Sequence, residues 1–115
     1  MPRHLRNEEK ELIVSLVRGL PVENIVLADL DGAIVADMDD GGMGSIAFRR
    51  SSAEDRRFGR EVVQATFVDS DGIPVSITIN LDQNDRLFEM DLFKADNSAL
   101  RNYPRPQDVT IITNN

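Results

Sequence analysis

The chain has no cysteine. Disulfides, thiolate nucleophiles and cysteine-based zinc sites are therefore excluded, and the composition fits a reducing, cytoplasmic setting. Histidine occurs once, as His4 in a terminal arm, so no set of positioned imidazoles is available for a catalytic triad or a metal site. No apolar run approaches the roughly 20 residues that span a bilayer, and the polar, charge-rich segment Asn7–Glu11 stands where a signal peptide needs its apolar stretch. A membrane partner is not expected. Basic residues are outnumbered by acidic ones, 13 to 20, and the net charge of −7 argues against nucleic acid, whose phosphates bind basic surfaces. No cofactor motif is present.

What is there is ordinary globular material: 41% hydrophobic and 29% charged residues in a 115-residue chain, enough for one core and one domain spanning residues 1–115. Leu12, Ile13, Leu16, Val17 and Leu20 recur at the spacing of one helical face. Asn7 suits the N-cap, Glu8, Glu9 and Glu11 favour the first turn, and Gly19 before Pro21 supplies the stop. After Pro21 the period drops to two. Ile25–Ala28 and Ala33–Ala36, flanking Asp29-Leu30-Asp31-Gly32, read as a hairpin, and Ser45–Phe48 as a further short strand. Residues 49–60 lack periodicity and read as a loop or helical turn.

The clearest alternation lies later. Ile73, Val75, Ile77, Ile79 and Leu81 interleave with polar residues, and Val63, Ala65 and Phe67 do the same one strand earlier. Asp69-Ser70-Asp71-Gly72 is the turn between them. After a turn at Gln83-Asn84-Asp85, Phe88, Met90 and Leu92 point inward from a strand over Arg86–Phe93, and β-branched Val109–Thr113 add an edge strand within this chain or to a neighbouring copy. The fold class is α+β: an N-terminal amphipathic helix packed on one mostly antiparallel sheet of five to six strands.

Three features compete for function. Asp37, Asp39 and Asp40, beside Gly41, Gly42 and Gly44, offer oxygen ligands to a hard cation, although the spacing departs from an EF-hand loop. Gln64, Thr66, Ser76, Thr78, Asn80, Glu89 and Asp91 share the polar face of the sheet and suit a basic protein partner. Arg49, Arg50, Arg56, Arg57 and Arg60 form a basic run that suits an acidic one. Without a nucleophile, base or metal-ligand set, the leading expectation is a non-enzymatic domain acting through a protein–protein surface. Its partner is another protein or a second copy joined through residues 108–113. The alternative is a carboxylate-dependent metal-binding domain or hydrolase centred on Asp37–Asp40.

Asp39-Asp40-Gly41-Gly42-Met43-Gly44-Ser45, followed about 45 residues later by Glu89-Met90-Asp91-Leu92-Phe93-Lys94-Ala95-Asp96-Asn97-Ser98-Ala99-Leu100, resembles a group of small bacterial proteins of unknown function. The group shares a D-G-G-M-G-S segment and a later D-[hydrophobic]-[W/F]-K-x-D segment. The resemblance covers nearly the whole chain and brings no activity with it. In size, charge and class the chain also looks like the immunity proteins that neutralise bacterial toxins.

Overall fold

The computed structural model describes residues 1–50 and 55–114. In chain order the elements are β1 (Pro2–His4), α1 (Asn7–Val17), α2 (Glu23–Leu30), β2 (Ile34–Asp37), β3 (Ile46–Arg49), β4 (Phe58–Val68), β5 (Pro74–Asp82), β6 (Leu87–Lys94), a 3-10 turn (Pro106–Asp108) and β7 (Thr110–Asn114). The strands form one sheet in the order β1-β2-β3-β6-β5-β4-β7, and every pairing is antiparallel.

Helix α1 buries Leu12, Ile13, Leu16 and Val17 against the sheet face carrying Val63, Ala65, Phe67, Val75, Ile77, Ile79, Met90 and Leu92. Its cap differs from the expected one. Arg6, not Asn7, is the N-cap residue, and the Glu9 carboxylate accepts a hydrogen bond from the Arg6 amide at 2.8 Å. At the other end Gly19 takes φ +80°, and the Leu20 amide donates to Val17 O at 3.0 Å.

The first half of the expected hairpin is instead helix α2. Val22, Val26 and Leu30 recur every fourth residue and bury their side chains beside α1, while Ile25 and Leu27 stay outside. Gly32, at φ +66°, ends this helix rather than reversing a hairpin, and the Ala33 amide donates to Leu30 O at 3.2 Å. The sheet thus has seven strands and two helices cover one face, with β1 an unexpected edge strand.

Other boundaries moved less. Strand β4 starts at Phe58, so the loop expected over 49–60 is shorter, and its residues 51–54 lie outside the described residues. Strand β7 pairs with β4 of its own chain. Among the described residues no helix is long and apolar enough to cross a membrane.

Strands β3 and β6 share only the register pairs Ile46↔Met90 and Ala47↔Glu89, and the ladder ends on either side of them. Two side chains fill the gaps. At one end Arg56 donates to Phe48 O and, at 2.7 Å, to Leu87 O, while its Nε donates to Asp82 at 2.9 Å and its guanidinium lies 5.3 Å from the Phe88 ring centre. At the other end the Ser45 hydroxyl accepts from the Leu92 amide at 2.9 Å and donates to Leu92 O at 3.1 Å, standing in for a missing rung of the ladder.

Candidate functional site

The two segments that carry the sequence resemblance pack against each other. Asp40 folds the glycine loop onto itself: its carboxylate accepts from the Met43 and Ser45 amides, both at 3.0 Å. Gly42 sits at φ +83°, its carbonyl accepts from Leu100 N at 3.0 Å, and a Cβ there would lie 3.3 Å from that of Ala99. Met43 Sδ accepts from the Lys94 amide at 3.2 Å. Lys94 continues the inward parity of Met90 and Leu92, and its side chain is fully buried. Its ammonium donates to Asp69 at 2.8 Å, Asp71 at 2.6 Å and Ala99 O at 3.1 Å. Burial alone would raise the Asp69 carboxyl. The Lys94 ammonium and the Arg101, Ser70 and Asn102 amides reverse this and hold it well below the usual carboxylate range.

The three aspartates offered for a cation are dispersed in role. Asp37 is exposed and paired with Arg3 at 2.7 Å, and that guanidinium holds its carboxyl below the usual range. Arg3 also grips Glu9 at 2.8 Å, tying β1 to α1. Asp39 is exposed, and Asp40 is committed to loop amides. Among the described residues no group of three or more His, Cys, Asp or Glu is arranged to hold a metal ion.

The seven polar residues of the sheet lie together on the face turned away from both helices. Strand register places Glu61, Asn80 and Glu89 in one row, Gln64, Thr78 and Asp91 in the next, and Thr66, Ser76 and Phe93 in a third. Val68 and Pro74 extend the same face. Asn80 is only 5% exposed and donates to Glu89 at 3.0 Å and to Asp91 at 3.3 Å. Among the described residues neither carboxylate has a cationic partner. Burial first, then the Glu89 charge, push the Asp91 carboxyl up to about 6, with Asp40 adding to the rise.

A pH dependence follows. Unfolded, this carboxyl titrates near its ordinary value of about 3.9; folded, it titrates near 6. The folded state takes up the proton first as pH falls, so this group adds stability as pH drops from 7 toward 4. Screening at a half-buried site reduces the effect to about 1 kcal/mol. Asp91→Asn is expected to raise the Tm by about 4 °C at pH 7.5 and by only a fraction of that at pH 4.5. Equal shifts at both pH values in thermal melts would show that ionisation is not the cause.

The Lys94–Asp69–Asp71 knot adds a buried ionic contact to the turn that the sequence predicts at Asp69–Gly72. The inward parity of Lys94 was the available signal. The basic run is also sorted: Arg56 is interior, Arg60 pairs with Asp85 at 3.1 Å, and Arg49 and Arg50 stand with Arg86 near Asp29.

One antiparallel sheet with two helices on a single face, and loops tied by buried Asp and Lys contacts, defines a small α+β domain whose signature segments build the fold. Residues 2–104 match the family described as Domain of unknown function (DUF6984), and the chain belongs to that family. No curated protein and no solved structure matches the chain. The matched span stops short of the 3-10 turn and β7.

Proposed function

We propose that the chain is a non-enzymatic protein-binding domain that seats a basic protein partner on the helix-free face of its sheet. The observation that carries this reading is the Glu89–Asp91 carboxylate pair, held by Asn80 and lacking a cationic partner among the described residues, flanked on the same face by Phe93 and Val68 at 52% and 66% exposure. An apolar rim beside an uncompensated acidic centre offers area for affinity and charge for selecting the partner. Two copies stacked on this face would bring like charges together, which favours a different, basic chain. An immunity-like role, in which a small acidic domain covers a toxin's basic surface, is one instance.

The experiment places a photo-crosslinking benzoyl-phenylalanine at Thr78, in the middle of the face, or at Glu11, exposed on α1, in extract of the source organism. A discrete crosslinked protein is expected from position 78 alone, and Glu89→Lys with Asp91→Lys should abolish it. No crosslink at 78, equal crosslinks at both positions, persistence after charge reversal, or a product whose mass is twice that of the chain would each overturn the reading.

A further inference from the structure

A second site lies at one corner of the sheet, where α2 turns through Asp31 and Gly32 into β2 and where β3 ends. Ile34 and Arg49 are register partners there, and Arg86 enters from the start of β6. A cavity of about 460 Å³ opens at this corner, and its lining residues include three arginines, Arg49, Arg50 and Arg86, and two aspartates, Asp29 and Asp31. On a chain of net charge −7, a wall with more guanidiniums than carboxylates is a local reversal of sign.

Asp29 organises that wall. Its side chain is only 7% exposed, and its carboxylate accepts from Arg86 Nε at 3.1 Å, from Arg86 Nη2 and from the Leu87 amide at 3.0 Å. Arg50 Nη1 stands 3.7 Å from the same carboxylate. Burial would raise Asp29, but Arg86 and the Leu87 amide outweigh it and keep the group ionised. Asp29 thus fixes Arg86 in place and draws Arg50 toward it. Arg49 is exposed and has no ion-pair partner among the described residues.

The geometry points to a binding site for the phosphate group of a small phosphomonoester. Two consecutive arginines at the end of β3, Arg49 and Arg50, line the same cavity as Arg86 from the start of β6, and two of the three, Arg50 and Arg86, meet at Asp29. A planar carboxylate occupies one guanidinium fork, as Asp29 does on Arg86, whereas a tetrahedral dianion has acceptors for several donors arriving from different directions. The volume exceeds that of a bare phosphate and falls in the range of small-molecule sites. Asp31, exposed in the lining, repels a second anionic group, so the ligand carries one phosphate and a neutral body.

An NMR titration of ¹⁵N-labelled protein tests this with glycerol 2-phosphate, inorganic phosphate and, at matched ionic strength, sodium chloride. Glycerol 2-phosphate is expected to give saturable shifts at the Gly32, Ala33, Arg49, Arg50 and Arg86 amides, and to bind more tightly than inorganic phosphate. Arg49→Gln with Arg50→Gln should weaken its binding by about tenfold or more. Shifts that follow chloride, fail to saturate or survive in the double variant would overturn the site, and equal affinity for inorganic phosphate would overturn the organic body. Arg49→Lys with Arg50→Lys keeps both charges without the forks. Recovery of full affinity in that variant would also count against a guanidinium site. Crosslinking from Thr78 reports on a different face, so either proposal can fail without the other.

Discussion

Asp69→Ala is expected to lower the Tm on the order of 15 °C, enough to leave a marginal domain partly unfolded at ambient temperature. The side chain accepts from Lys94 Nζ at 2.8 Å and from the Ser70, Arg101 and Asn102 amides at 2.7, 2.8 and 3.0 Å. Alanine leaves the fully buried Lys94 ammonium with Asp71 and Ala99 O alone, and it frees three amides, two of which hold residues 101–102 against the end of β4. Losing one member of a buried ion pair costs more than the pair is worth, because the remaining charge stays desolvated. Lys94→Met should therefore be milder in the Asp69→Ala background than alone. A double variant whose loss equals the sum of the single losses would show that the two groups do not interact. The Asp69 carboxyl is held below its ordinary value, so its contribution is present above about pH 4 and is lost only as pH falls through the lower folded value. Asp91 works in the opposite sense, adding stability as pH falls from 7 toward 4.

What was legible in the sequence was what periodicity encodes. The stripe of α1 and the alternation of β4, β5 and β6 each bury one side of a regular element, so the residues announce both the element and its inward face. The seven polar residues of the sheet face were legible for the same reason. Helix α2 was not, because Ile25-Val26-Leu27-Ala28 is a short apolar run that fits a buried strand equally well. Only three buried positions, Val22, Val26 and Leu30, mark its true period, and Ile25 and Leu27, 40% and 37% exposed, blur the stripe. Strand β1 is three residues long and opens with proline. The pairing of β3 with β6 joins segments more than forty residues apart and rests on Arg56 and Ser45 contacts that leave no pattern in the chain. The roles of Asp40 and Lys94 depend on loops meeting in space, so composition could mark Asp39–Ser45 as unusual without saying that Asp40 is consumed by its own loop.

Gly59→Ala should destabilise the domain by about 3 kcal/mol although the position neighbours exposed residues in what the sequence presents as the end of a loop. Gly59 lies in β4 between the pairs Phe58↔Asp82 and Arg60↔Leu81, where the register shifts. A Cβ there would run into the Asp82 carbonyl oxygen, with Asp82 C at 2.5 Å and Gln83 N at 2.9 Å. These are backbone atoms and cannot rotate aside, so the strands must part. Asp82 is also poorly free to move, since its carboxylate accepts from the Asn84 amide at 2.8 Å, the Arg86 amide at 3.0 Å and Arg56 Nε at 2.9 Å. Displacing it loosens Arg56, which bridges Phe48 O and Leu87 O, and so carries the strain into the narrow joint between β3 and β6. Gly72→Ala is the informative comparison. Gly72 has φ +82° and nothing within 4 Å of its added Cβ, so that variant costs only about 1 kcal/mol of backbone strain. Urea melts should show the Gly59 variant with the lower midpoint of the two at an unchanged slope. The reverse order would mean that β4 and β5 do not approach as closely at this bulge as the structure has them.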